Sequence, residues 1–512
     1  MSAPHPAPAG PSVAPSPAEP APVVLGPPPP PNGLSVLFPH WREGRRTRGR
    51  HPRLVVAALT VALFAGLVLP GRDHGLALWL VVMATVAVVG PTFWRRAAAR
   101  TRALCGVFLA LVATIVIRDA GWAVSLCVLA AYALGAAALC RTRTVSGLIR
   151  AGFAVPLAWL RGLPWLRRSL PRPERLPSST GFTLRVVRTV VVSGLLLVVL
   201  VALFASADAV FAGWVDLLTP QLPSTVPVAR FMVFMITAAI VLGSAYVGLN
   251  PPDVERDGPR TPRSAQRFEW VSPVVVAITV FVTFLGAQLS ALFGGHAYLQ
   301  RQTGLTYADY VHQGFGQLTV ASVIVLVLVG VTLRTAPRHN AADRRLIRLL
   351  IGVLGGLALV VVASALYRLH VYEQAYGFTR LRLLVSVFES WLGLVLLLAT
   401  TAGVWLRARW LPGVAVLAGV LMIFALTLAN PDAMIAEHNV QRYAQTGKID
   451  ADYLRSLSAD AVPALDRLPE PLRSCVLGDI SVAPGDALDL NLGRVRAAAV
   501  LAADPVDPAG CR

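Results

Sequence analysis

The chain has 512 residues, 55% hydrophobic and only 14% charged, with a mean hydropathy of +0.63. Soluble domains carry about 25% charged residues, so this composition excludes an ordinary soluble protein. The net charge of +19 rests on 45 arginines and one lysine, Lys448. A nucleic-acid binder would be basic and hydrophilic, so no nucleic-acid partner is implied and the expected partner is the lipid bilayer.

Residues 1–53 hold 13 prolines before Asn32 and end in six arginines between Arg42 and Arg53. That segment has too little apolar surface for a core and reads as a disordered, Pro-rich cytoplasmic tail. No cleavable leader pattern opens the chain. Apolar runs then recur at 54–70, 76–93, 103–117, 120–140, 184–206, 228–249, 271–293, 314–333, 346–367, 383–403 and 412–429. A hydrocarbon core of about 30 Å takes about 20 residues of helix, and lipid offers no partner to free backbone groups. The expected fold is therefore all-α, a polytopic transmembrane helix bundle of about 11 spans over 54–429. A twelfth apolar stretch, 148–166, is broken by Arg150, Pro156, Arg161 and Pro164 and reads as an interfacial helix.

Arginines set the orientation. With the N-terminus inside, the tail and inner connections carry 31, the outer connections 7 and the C-terminal segment 7. This predicts a membrane protein oriented N-in/C-out. At Asn430 the composition changes: residues 430–512 hold 12 acidic and 8 basic residues, and read as a small extracytoplasmic helical domain. Asn430-Pro431-Asp432 has the form of a helix start, with a cap, a first-turn proline and an acid at the positive end of the dipole. Cys475 and Cys511 both fall in this domain, where an exterior environment favours a disulfide. Cys105, Cys127 and Cys140 belong to the spans.

No phosphate-binding loop, nucleophile elbow, dinucleotide fingerprint or zinc-ligand spacing occurs, so no cofactor, metal site or catalytic residue is expected. Gly355-Gly356 reads as close helix packing. The histidines His296, His312, His370 and His438 are scattered. Polar residues do concentrate on the outer side, at 296–313 and 367–382. Arg368, Tyr372, Glu373, Tyr376, Arg382 and Glu389 form the candidate polar cluster. Tyrosines at an interface are ordinary belt residues; arginines on that side are not. Glu389 lies two turns inside a span, where a carboxylate costs a few kcal/mol, so it is expected to be protonated or paired with Arg368 or Arg382. An ion pair that merely fixes two helices is the bland alternative to a ligand site.

Three stretches carry a family resemblance. They are Tyr307-x-x-Tyr310 with Gly314-Phe315-x-x-Leu318, Leu366-Tyr367-Arg368-x-x-x-Tyr372-Glu373-x-x-Tyr376-Gly377-x-Thr379-x-x-Arg382, and Asn430-Pro431-Asp432 with Asn439, Tyr453-Leu454 and Asp460-Ala461-Val462-Pro463. Over roughly 200–512 the chain resembles a bacterial multi-pass membrane family known only as a domain of unknown function. The resemblance implies an integral membrane protein and no catalytic residue. The expected function is non-enzymatic binding or sensing of a ligand or protein partner at the outer face. A transporter or lipid flippase, with Glu389 and Gln288 as its thin intramembrane candidates, is one alternative. A glycosyltransferase using a lipid-linked donor is another, although the first outer loop, Gly71 to Gly75, is short for that class.

Overall fold

The computed structural model describes residues 41, 44–170, 226–255, 265–303, 315–408, 410–478, 480, 482 and 486–506, with scattered positions between 193 and 214; side chains are described to Leu289 and again from Gly316. Residues 43–512 form one compact unit. Among the described residues all regular structure is helical. In chain order the main helices are α1 (Pro52–Val68), α2 (Leu76–Phe93), α3 (Ala99–Ile117), α4 (Gly121–Cys140), α5 (Val145–Arg161), α6 (Val226–Leu249) and α7 (Arg267–Thr303). They continue with α8 (Phe315–Thr335), α9 (Ala341–Tyr376), α10 (Arg380–Trp405), α11 (Leu411–Leu428), α12 (Pro431–Thr446) and α13 (Leu492–Ala503).

Nine of the described helices, α2–α4 and α6–α11, are long and apolar enough to cross a membrane. The chain is thus a helical, membrane-embedded protein. The expected span at 54–70 is the 17-residue helix α1, just under that length. The run at 184–206 lies largely outside the described residues.

Lipid tails are as apolar as leucine, so these helices gain little from hiding apolar surface and must associate through close packing. Glycines make that approach possible. A Cβ on Gly355 would overlap the Thr400 side chain, and one on Gly403 would overlap Ile351, which locks α9 against α10. A Cβ on Gly66 of α1 would lie 2.8 Å from the Arg230 carbonyl of α6. Helices α7–α10 share one buried core that includes Val274, Val329, Ile351, Leu354 and Leu396. Helix α11 joins this group to the N-terminal helices: the Trp391 indole of α10 donates to the Ala415 carbonyl at 3.0 Å, and Cys127 of α4 lies 3.2 Å from the Thr427 hydroxyl.

The stretch expected to be interfacial is α5 and a short helix, Leu163–Ser169. Helix α5 buries Gly147, Ala151, Ala154 and Ala158 and exposes Ile149, Phe153, Leu157 and Leu160. Small residues face the protein and large apolar ones face outward, the pattern of a helix whose free side meets lipid.

The described contacts define two ends of the bundle. At the arginine-rich end, Arg46 donates to the Thr92 carbonyl at 3.1 Å and Arg348 to the Val404 carbonyl at 3.1 Å. There too Glu255 accepts from the amide of Thr144 at 3.1 Å, and Arg267 pairs with Asp343. Burial pushes the Glu255 carboxyl up, but the amides of Arg143 and Thr144 outweigh it and leave the group below its ordinary range. His51 donates its amide to Ser169 at 3.2 Å, so Ser169 belongs to this end, whereas Val226, beside the end of α1, belongs to the other.

The adjacent glycines of α9 separate packing from composition. Gly355→Val is expected to lower the thermal midpoint of the detergent-solubilised protein, with an overpacking cost of about 1–3 kcal/mol. Gly356→Val, with open space around its Cβ position, is expected to leave the midpoint unchanged. Equal midpoints for the two variants would contradict this α9–α10 register.

Candidate functional site

The C-terminal segment closes over the end of the bundle opposite the arginines, and helix starts explain where it grips. The first amides of a helix have no partner within it and carry partial positive charge, so carboxylates and amide oxygens gather there. Asp119 and Asp460 use this reciprocally. Asp460 Oδ2 accepts from the amides of Asp119 and Ala120, at 2.6 and 3.0 Å, where α4 begins. Asp119 Oδ2 accepts from the amide of Ala459 at 3.1 Å, at the start of the turn Ala459–Ala461. Burial pushes both carboxyls above their ordinary range, against the pull of these amides.

Asn491 adds a third clamp. Its side-chain amide donates to the carbonyls of Ile115 and Arg118, at 3.1 and 2.8 Å, while its oxygen caps α13 through the Gly493 amide at 2.9 Å. Arg494 donates to the His74 carbonyl at 2.8 Å and lies 3.2 Å from Asp73 and 3.5 Å from Asp119.

Asp432, like Asn491, has no exposed surface. Its carboxylate takes four hydrogen bonds: Trp122 Nε1 at 2.8 Å, Arg380 Nε at 3.1 Å, Arg380 Nη2 at 2.6 Å and the Ser458 amide at 2.9 Å. Burial alone would raise its proton affinity, but Arg380, Trp122 and Ser458 outweigh that and hold the carboxyl below its usual range. Around it, Asn439 donates to the Phe378 carbonyl at 2.9 Å and the Tyr453 hydroxyl accepts from the Arg380 amide at 2.7 Å. Gly377, at φ +82°, makes the turn that brings α9 and α10 under α12.

The six residues of the polar cluster divide into two levels. At the surface, the Arg382 guanidinium donates to the carbonyls of Tyr376 and Gly377, at 3.1 and 2.5 Å, and stacks 4.6 Å above the Tyr372 ring. Tyr372 and Tyr376 have ring centroids 4.6 Å apart. Beneath them Glu373 is buried and accepts from Ser386 Oγ at 2.9 Å. Glu389, 1% exposed, stands apart from the arginines and accepts from the Thr319 hydroxyl of α8. The expected ion pair with Arg368 or Arg382 is not among the ion pairs of the described residues; Arg382 is turned back onto the carbonyls that end α9. Cys475 is disulfide-bonded and Cys105, Cys127 and Cys140 are free; Cys511, the expected partner, lies outside the described residues. So do Tyr307, Tyr310 and His312. Among the described residues no three His, Cys, Asp or Glu side chains converge as metal ligands.

The end of α11 and the C-terminal helices border a cleft of about 510 Å³, lined among others by Asn430, Glu437, Asp460, Arg467, Gly493 and Arg496. Arg467 pairs with Glu437. Arg496 is exposed and has no hydrogen-bond or ion-pair partner among the described residues. Arg118 lies behind it: burial lowers its proton affinity, Asp460 opposes this and Arg496 adds to it. Composition and spacing did not single out this cleft. The pair Arg118-Asp119 ahead of an apolar run was the available signal, as an acidic helix start.

Asp432→Asn tests the central clamp. Breaking a buried, hydrogen-bonded charge pair costs about 3–5 kcal/mol, and the low end applies because the Arg380 side chain is 31% exposed. A carboxyl held low contributes its stability above the ordinary range and loses it as pH falls through the folded value. The deficit of the variant is therefore expected to be full at neutral pH and to shrink only below about pH 4, followed by thermal unfolding. A constant deficit across that range would contradict an ionised Asp432.

No curated protein and no solved structure matches the chain. One family model does, that of Domain of unknown function (DUF4153), over residues 103–468. The match begins at α3, well before the stretch that carried the resemblance in sequence, and stops short of α13. It takes in Asp119, Trp122, Arg380, Asp432 and Asp460, every carboxylate clamp described above. By that match over most of its length, the chain belongs to the DUF4153 family.

Proposed function

We propose that this protein crosses the bacterial plasma membrane eleven times, N-in and C-out, and binds an anionic group at its outer face without catalysing a reaction on it. The topology is supported by the arginine bias and by parity. Ser169 and Val226 lie at opposite ends of the bundle, which calls for one more crossing between them, and α1 joins the nine longer spans. Reporter fusions after residues 210, 258, 340 and 440 are expected to report outside, inside, inside and outside. An inside signal at 440 would overturn the orientation of the C-terminal segment.

The cleft carries the binding half of the proposal. Arg496 presents positive charge beside Asn430, two residues past the end of α11, so the cleft opens at headgroup level; Arg118, behind it, donates to the carbonyls of Thr427 and Leu428. Leu490, Leu492 and Val495 are exposed nearby, suited to acyl chains. A phosphate-bearing lipid headgroup meets both features, and guanidinium groups are well shaped for phosphate. In nanodiscs, replacing phosphatidylcholine by phosphatidylglycerol is expected to raise the thermal midpoint of the wild type, and Arg496→Glu is expected to remove most of that rise. Inorganic phosphate added to the phosphatidylcholine discs separates a free anion from a lipid. A rise of equal size in Arg496→Glu would sink this assignment of the cleft.

A further inference from the structure

Among the described residues, the α7–α10 group holds three buried polar side-chain atoms without a hydrogen-bond partner; Trp270 Nε1, near the start of α7, is one. Glu389 Oε2 and Gln288 Nε2 are the other two. The other atom of each side chain is fixed: Glu389 Oε1 accepts from Thr319 of α8, and Gln288 Oε1 accepts from Ser364 of α9 at 3.0 Å. The Gly355–Thr400 and Gly393–Val362 contacts set residue 366 of α9 opposite Glu389. Ser364 is two residues away, so both orphaned atoms fall in one layer within about 3 Å of depth. Glu389 is six residues past Leu383, where the apolar run of α10 begins, about 9 Å into a bilayer core of about 30 Å.

The same face of α10 leads outward. Arg382, Ser386 and Glu389 follow at spacings of four and three residues, which stacks them on one side of the helix. Ser386 already donates to the second buried carboxyl, Glu373. The rise from Ser386 to Glu389 is about 4.5 Å, a gap that one water molecule spans. Glu373 faces His370 on its own helix, Arg382 on α10 and His438 on α12. Glu389 faces no charged group among the described residues: α11 has none, α8 has only Arg334 and α7 only Arg267 and Glu269 at their far ends, and Arg382 of its own helix is held by the Tyr376 and Gly377 carbonyls. An uncompensated carboxylate at that depth costs several kcal/mol, and binding a proton removes the cost.

We propose that Glu389 is a proton-binding site in the membrane interior, bordered by Thr319 and loaded from the end that carries the C-terminal domain through Glu373 and Ser386. This reading is independent of the cleft. Dicyclohexylcarbodiimide, an apolar reagent that adds to protonated carboxyls, tests it on the full chain in nanodiscs, with the adduct located by peptide mass spectrometry. The expected result is an adduct on Glu389 whose yield falls as the pH is raised from about 5.5, since the reagent adds only to the protonated carboxyl. Glu373→Gln is expected to slow the change in Glu389 labelling after a pH jump by about tenfold or more. Absence of the Glu389 adduct, or a yield that stays constant as the pH is raised, overturns the site. An unchanged rate in Glu373→Gln overturns the route. The wild-type series decides the first question alone, so nothing hangs on whether Glu389→Gln inserts.

Discussion

Unpaired amides at the beginnings of helices are the constraint around which this end of the molecule is organised. Helix α4 begins without hydrogen-bond partners for its first amides, and a buried helix start must find some. The C-terminal segment supplies them from Asp460, and receives a cap for one of its own turns from Asp119. Asp432 does the same work with side chains, joining Trp122 of α4 to Arg380 of α10. Because α4 and α10 come from different halves of the chain, this one carboxylate ties the halves together. The packing of α11 between them, and the position of the cleft at its end, both depend on that tie.

Much of this was legible in the sequence, because lipid imposes rules with few exceptions. Hydrophobic runs of about 20 residues located the long helices, although α7 and α9 run about ten residues past the runs that marked them, and the break-ridden run at 148–166 emerged as two helices rather than one span. Gly355-Gly356 read correctly as packing, although sequence could not tell which of the two faces α10. Asn430, Asp432 and Asn439 were quoted as a resemblance, and each has a specific hydrogen-bonding task.

The misreadings share a cause. Glu389 and Arg382 lie on one helical face, so pairing them was reasonable on spacing. What decided otherwise was competition from the carbonyls of Tyr376 and Gly377, left open where α9 ends and within reach of Arg382. Backbone acceptors at helix ends are invisible to any argument from side-chain type. The cleft was missed for a related reason: its walls come from residues 430, 460 and 493, and only the tertiary structure brings them together.

The reciprocal caps have a consequence for how the C-terminal segment can leave the bundle. Were each carboxylate to cap a helix of its own segment, the two parts could separate gradually, each keeping its bonds. Here the amides of Asp119, Ala120 and Ala459 are each held by a carboxylate on the other side. Withdrawal strips α4 and the Ala459–Ala461 turn of their caps in the same event, and no half-open arrangement satisfies either. The joint therefore behaves as a latch with two positions, one closed and one open, and any force or ligand acting on the outer segment is felt by α4 in full or not at all.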